Sequence, residues 1–289
     1  MSDHFERPAK KSLGQHFLHE RGVIDKLLLA ISPRPGERIV EIGPGQGALT
    51  FPLLQRHGAL TAIEFDRDLL APLTAQAQAH GVLRLIHSDV LDVDLTALAA
   101  ELAAEPAKDV PDDAGEGNTA ESRRQIRLVG NLPYNLSSPI LFHALDHAAA
   151  IRDMHFMLQK EVVDRMAAEP GGKVYGRLSV MLQAYCTVTS LFDVPPGAFR
   201  PPPKVDSAVV RLVPRAAHEI GIEDARIFTA VVRDAFGQRR KTLRNALSAQ
   251  CDETLIAAAG IDPQQRAERL SVADFVRLSN TVRAARADG

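Results

Sequence analysis

Arg38-Ile39-Val40-Glu41-Ile42-Gly43-Pro44-Gly45-Gln46-Gly47 reads as an apolar strand running into a glycine-rich turn, with a helical stretch following over residues 48–57. Glycines 43, 45 and 47 permit positive φ and let a ligand approach the backbone closely. A second strand over 60–63 ends in Glu64, 21 residues beyond Gly43, the offset at which an acid reaches the two hydroxyls of a ribose. A third, over 83–86, is followed by His87-Ser88-Asp89, and a fourth run (Ile126, Leu128, Val129) leads into Asn131-Leu132-Pro133-Tyr134. Successive strands that each end in a polar group place those groups on the edge where open α/β sheets bind ligands. The expected fold class is therefore α/β, a Rossmann-like doubly wound sheet.

The glycine turn formally satisfies the pattern for a dinucleotide, so the cofactor needs a second argument. A pyrophosphate requires a run of free backbone N–H groups at a helix N-terminus, and Pro44 removes one. Glu41 adds negative charge two residues before Gly43, which would repel a phosphate and suit a sulfonium or ammonium. S-adenosyl-L-methionine fits this turn better than a nicotinamide dinucleotide.

Residues 131–134 supply the complementary half of the chemistry. Pro133 stops the strand by deleting a backbone donor, setting an amide, a carbonyl and an aromatic ring together at its end. An exocyclic amine of a nucleobase is a poor nucleophile because its lone pair is delocalised into the ring. The Asn131 side-chain oxygen and a backbone carbonyl near Leu132 or Pro133 can draw its hydrogens out of plane, while Tyr134 stacks on the base. The plain alternative for these four residues is a strand-to-loop turn carrying a surface tyrosine.

Several stretches together resemble one family. They are Lys11-Ser12-Leu13-Gly14-Gln15-His16-Phe17-Leu18, residues 41–47, residues 131–134, and His155-Phe156-Met157-Leu158-Gln159-Lys160-Glu161. Tyr175-Gly176-Arg177-Leu178-Ser179-Val180, residues 199–207 with their Pro201-Pro202-Pro203, and Phe236-Gly237-Gln238-Arg239-Arg240-Lys241-Thr242 follow in order. The chain resembles the small-subunit (16S) ribosomal RNA adenine N6,N6-dimethyltransferases, the KsgA/RsmA family, over nearly its whole length apart from roughly residues 101–124 and the last few. The resemblance implies that His16 and Leu18 fold over the methionine end of the cofactor and that Gly43 is its backbone neighbour. It further implies that Glu64 binds the ribose, that Asp89 accepts from the adenine amine, and that Asn131 lies between cofactor and target. Family members often carry asparagine where this chain has His16, so that contact runs through a ring nitrogen or the backbone. Asp89 before Val90 equally suits a helix cap.

Phe199, ahead of the stiff proline loop, is expected to offer a second face for the target base, stacking being worth roughly 1–3 kcal/mol per base; packing beneath the loop is the alternative. Arg200 and Lys204 on that loop, with Arg239, Arg240, Lys241 and Arg244 near the Gly237 break, form the expected RNA-binding set. A solvated helix face would account for the second cluster without RNA.

Composition agrees with a cytoplasmic enzyme: 289 residues, 45% hydrophobic and 24% charged. Cys186 and Cys251 lie in no metal spacing, and there is neither a secretory apolar region nor a run of about 18 apolar residues. No metal and no membrane are expected, and the protein is expected to be monomeric. The formal charge of −2 becomes +4 without residues 101–121, where seven carboxylates face Lys108 alone. That stretch reads as a flexible insertion over 101–124.

The expected organisation is a methyltransferase domain over 1–213 and a helical RNA-binding domain over 214–289, with helices near 222–236, 241–248, 252–259 and 271–285. The activity implied by the resemblance is dimethylation of two adjacent adenines in the 3′-terminal hairpin loop of 16S ribosomal RNA within the small subunit. Alternatives are adenine methylation of 23S ribosomal RNA or of DNA, a mainly non-catalytic assembly checkpoint factor, and a nicotinamide-dependent oxidoreductase.

Overall fold

The computed structural model describes residues 9–10, 13–105, 124–238 and 240–287. Nine strands occur among them: β1 (Phe17–Leu18), β2 (Arg38–Ile42), β3 (Ala59–Glu64), β4 (Val82–His87), β5 (Ile126–Asn131), β6 (Ile151–Gln159), β7 (Cys186–Val194), β8 (Phe199–Arg200) and β9 (Ser207–Pro214). Seven form one sheet in the order β4-β3-β2-β5-β6-β9-β7, and β1 pairs antiparallel with β8. From β4 to β6 all pairings are parallel, and β9 runs antiparallel to β6. The chain winds outward from β2 to β4, then returns to lay β5 on the other side of β2. The switch point therefore falls between β2 and β5, where such sheets open a crevice at their carboxyl ends.

The intervening helices are α1 (Arg21–Ile31), α2 (Thr50–His57), α3 (Arg67–Ala77), α4 (Leu95–Ala104) and α5 (Ser137–Asp146). Acidic side chains start three of them: Glu20 accepts from Gly22 and Val23 N–H, Asp66 from Asp68, and Asp94 from Ala97. The strands are nearly continuous apolar runs, with Val40, Ala62, Leu128 and Val129 wholly buried, as a sheet covered on both faces requires. Gly130 is fixed by the β2–β5 seam, because a Cβ there would lie 2.4 Å from the Ile42 carbonyl oxygen.

The compositional reading of 101–124 as a loop fails at its start. Residues 101–104 complete α4, and Glu101 and Glu105 pair with Arg84 of β4 at 2.7 and 3.2 Å. Acidic composition misled there because Glu101 in the last turn of α4 and Glu105 at its C-cap have a cation opposite. The rest of that expectation, over 106–123, lies outside the described residues.

The chain divides into two compact units, residues 1–163 with 189–214, and residues 164–188 with 215–289. The boundary expected at 213/214 therefore omits a segment. Helices α6 (Lys160–Met166) and α7 (Arg177–Tyr185) bracket it, followed by α8 (Ala217–Ile220), α9 (Ala225–Gly237), α10 (Leu243–Ala246), α11 (Glu253–Ala258) and α12 (Val272–Ala287). Within the second unit α7 packs on α9 and α12 and buries most of its surface, which leaves it no place as a surface helix. Tyr175 is wholly buried there, donates to the Leu270 carbonyl at 2.9 Å and meets Phe236 edge-on, while Phe236 in turn packs on Phe275.

At the amino end of the sheet Arg127 is buried between two acids. Its Nε and Nη2 reach Asp153 at 2.8 and 2.9 Å, its Nη1 reaches Glu37 at 2.6 Å, and Nη2 also donates to the Ile31 carbonyl. Arg127→Met should cost about 3–5 kcal/mol in urea unfolding, because both buried carboxylates lose their buried cation and keep only a more exposed one each, Arg152 on Glu37 at 2.7 Å and Arg211 on Asp153 at 3.5 Å. Nearby His155 is 1% exposed, and its ring nitrogens find no hydrogen-bond partner among the described residues. Burial pushes its pKa from 6.5 down to about 4. The unfolded chain takes up that proton first as pH falls, so stability should drop between pH 6.5 and 4 by about 3 kcal/mol, a slope that His155→Leu should remove.

Candidate active site

The crevice between β2 and β5 holds a cavity of about 310 Å³ lined by residues 13–18 of the N-terminal segment, the turn 43–46, Ile63-Glu64-Phe65, Ser88-Asp89-Val90 and residues 131–136. Four strand ends and one strap thus converge on it, and residues from distant parts of the sequence share its wall.

The turn is built without side chains. Gly47 has φ +83°, and a Cβ there would sit 2.2 Å from the Phe51 ring of α2, so only glycine lets the helix close on the turn. Its backbone donors are largely spoken for: Gly43 N–H donates to the Ile63 carbonyl, Gly47 N–H to the Pro44 carbonyl, and Gly45 N–H to Glu64 Oε2 at 3.2 Å. A pyrophosphate would need those donors, and among the described residues no Lys or Arg lines the cavity. The nicotinamide reading therefore fails on the geometry, whereas a cationic nucleoside fits an acid-lined wall.

Glu64 is 6% exposed and accepts from Asp66 N–H at 2.7 Å through Oε1 and from Gly45 through Oε2. Burial raises its pKa, and these two backbone donors oppose the rise. Asp89 does cap a turn, accepting from Leu91 N–H at 3.0 Å through Oδ1, and it also lines the cavity, so the two expectations for it are compatible. Glu41 is buried in the cavity wall with the Thr50 hydroxyl donating to Oε2 at 2.7 Å, and burial pushes its pKa up to about 8.

At the end of β5, Asn131 donates through Nδ2 to the His16 carbonyl at 2.9 Å, which leaves Oδ1 as an acceptor. The Pro133 carbonyl is already engaged by Leu136 N–H and by the Ser137 hydroxyl. Of the two backbone acceptors expected there, the Leu132 carbonyl is the one without such partners among the described residues. Tyr134 is half-buried, its hydroxyl 2.6 Å from Ser207 Oγ and its ring stacked on His16 with centroids 5.5 Å apart. His16 also places Nδ1 2.8 Å from the Pro201 carbonyl, and Leu18 pairs with Phe199 through β1 and β8.

Phe199 is not a second face for a base. It is 1% exposed, lies outside the cavity wall and packs in the core with Leu18, Val194 and Val209. As the partner of Leu18 it is turned inward, and the following prolines hold the chain outside it. Phe199→Ala should lower stability by about 3–5 kcal/mol in thermal unfolding, the cost of an aromatic core truncation, and any loss of activity should track that loss of fold.

Arg200 and Lys204 are exposed in the first unit, and Arg240, Lys241 and Arg244 are exposed in the second, where Arg244 pairs with Glu253 at 3.2 Å. Arg239 lies outside the described residues. The sequence reading missed two features. Phe65 is an aromatic 58% exposed directly after Glu64 in the cavity wall; an exposed ring behind a strand-end acid was the signal. Lys10 and Gln15 bind Asp66, at 2.6 and 3.1 Å, fastening the strap to the start of α3. Among the described residues no group of His, Cys, Asp and Glu is arranged to hold a metal ion, and no helix is long and apolar enough to cross a membrane.

The family model described as ribosomal RNA adenine dimethylase matches residues 7–284. The chain belongs to that family. A ribosomal RNA small subunit methyltransferase A from Xanthomonas campestris pv. campestris (strain B100) is 65% identical over 280 residues, spanning 97% of this chain and 98% of its own. Its counterpart from Xanthomonas axonopodis pv. citri (strain 306) is 66% identical over the same shares. Among solved structures, a dimethyladenosine transferase from Plasmodium falciparum superposes with TM-score 0.72 at 23% identity, covering 91% of this chain and 96% of its own. The 23S rRNA methyltransferase ErmE superposes with TM-score 0.66, also at 23% identity, over 92% and 99%. These two likenesses establish the fold, a Rossmann-like α/β sheet with a helical C-terminal region.

Proposed function

We propose that the protein transfers methyl groups from S-adenosyl-L-methionine to N6 of two adjacent adenines in the 3′-terminal hairpin loop of 16S ribosomal RNA, two to each, during assembly of the small subunit. Family membership and the curated relatives' name support an adenine dimethyltransferase of small-subunit RNA. The observation that carries the site reading is Asn131, whose Nδ2 is committed to the His16 carbonyl so that Oδ1 is turned to accept.

When bound, S-adenosyl-L-methionine supplies an electrophilic methyl on a cationic sulfur. Glu64 holds the ribose, Asp89 the adenine amine through the oxygen its cap does not use, and Phe65 covers the adenine. Gly43, His16 and Leu18 enclose the other end. In the first transfer Asn131 Oδ1 and the Leu132 carbonyl accept the two hydrogens of the target amine and turn its lone pair toward the methyl; in the second the one remaining hydrogen is held by one of the two acceptors, and each transfer releases one amine proton to solvent. Tyr134 stacks on the base, its ring fixed by the Ser207 contact. With a leaving group that is already good, positioning is the chief contribution of the protein. A base that must leave its own stack costs a few kcal/mol, which stacking on Tyr134 offsets in part.

Arg200, Lys204, Arg239, Arg240, Lys241 and Arg244 are read as phosphate contacts, which position the RNA without reading its sequence. The protein is read as a cytoplasmic monomer that needs no metal.

Parallel incubation of undermethylated small subunits and of large subunits with labelled cofactor, followed by mass identification of the nucleosides, should yield N6,N6-dimethyladenosine in 16S and none in 23S ribosomal RNA. Asn131→Ala should lower the rate by at least about 100-fold with thermal stability unchanged. Label in 23S alone, or full activity in Asn131→Ala, would overturn the reading. Lys241→Ala should weaken subunit binding and lower the salt dependence of the binding constant by about one ion.

A further inference from the structure

No step above uses Glu41, yet it stands in the cavity wall two residues before the glycine turn. Its carboxyl is 2% exposed and held by one donor, the Thr50 hydroxyl. Among the described residues the surrounding elements offer it no compensating cation. From β3 the titratable group in the cavity wall is Glu64, a second acid; β5 presents Val129 opposite it and Asn131 beyond, both neutral; α2 presents Thr50. The remaining titratable groups of the wall are His16 on the strap, Asp89 after β4 and Tyr134 after β5. A dry carboxylate facing another acid is costly, and such a group stays neutral until a cation arrives. Two backbone N–H groups support the ionised form of Glu64, whereas Glu41 has a single hydroxyl.

We propose that Glu41 is a proton-exchanging counter-charge, holding a proton in the empty cavity and releasing it to solvent when the cationic methionine end of the cofactor enters. The carboxyl O–H bond breaks, the proton passes to the buffer, and the carboxylate keeps the electron pair opposite the incoming cation. The burial-driven rise of Glu41 to about 8 agrees with this, since the group is then mostly protonated at neutral pH. The inference rests on the cofactor reading of the site given above.

Calorimetric titration in two buffers of different ionisation enthalpy tests it. S-adenosyl-L-methionine should displace about one proton at pH 7 from the native protein, and its affinity should rise about tenfold per pH unit between pH 5.5 and 7, below the roughly 7.7–8.0 range of an α-amino group. The neutral nucleoside 5′-methylthioadenosine should displace none, and Glu41→Gln should abolish the release and flatten the pH dependence. Binding of S-adenosyl-L-methionine to the native protein without proton release overturns the inference while leaving the site reading intact. So does equal release by 5′-methylthioadenosine or by Glu41→Gln. Failure of S-adenosyl-L-methionine to bind at all overturns both.

Discussion

Strands β2 and β5 can lie side by side up to the mouth of the crevice only because residue 130 has no side chain. The Ile42 carbonyl occupies the space a Cβ would take, one residue before the glycine turn on one strand and one before Asn131 on the other. The two halves of the chemistry, a turn that accepts a nucleoside and a carboxamide that grips an amine, are thereby brought to one place. Everything else in the site is arranged around that seam. Glu64 reaches across from β3 to the turn, Asp89 sits beyond it after β4, and the strap lies over the Asn131 side chain.

The two ends of the sheet treat buried charge in opposite ways. At the amino end Arg127 meets Asp153 and Glu37 with geometry good enough to hold Asp153 well below its usual range despite burial. That network ties β5 to β6 and to the entrance of β2, and it is complete without any ligand. At the carboxyl end Glu41 and Glu64 have no cation among the described residues that line the cavity, so burial raises both. A closed network favours one folded arrangement, whereas an open one creates a demand for positive charge that a ligand can meet.

Much of this was legible because the decisive features are local. The glycine turn, the acid 21 residues later and the proline that ends β5 are short-range patterns, and the strands follow from apolar runs. What failed depended on partners far away in sequence. Phe199 reads as a free aromatic beside a rigid loop, and only the pairing of β8 with β1 turns it into the core. Residues 101–104 read as loop because Glu101, like Glu105 after it, lacks a local cation, which Arg84 supplies from β4. The segment 164–188 is apolar enough to belong anywhere; α9 and α12, encoded much later, decide where it packs.

The strap has a consequence beyond covering the crevice. What orients the Asn131 carboxamide is a carbonyl belonging to residue 16, held down through Lys10, Gln15 and the short β1–β8 ribbon. Lifting that ribbon would at once open the door and release the carboxamide. The arrangement is an interlock: the aim of the gripping atom depends on the segment that covers it.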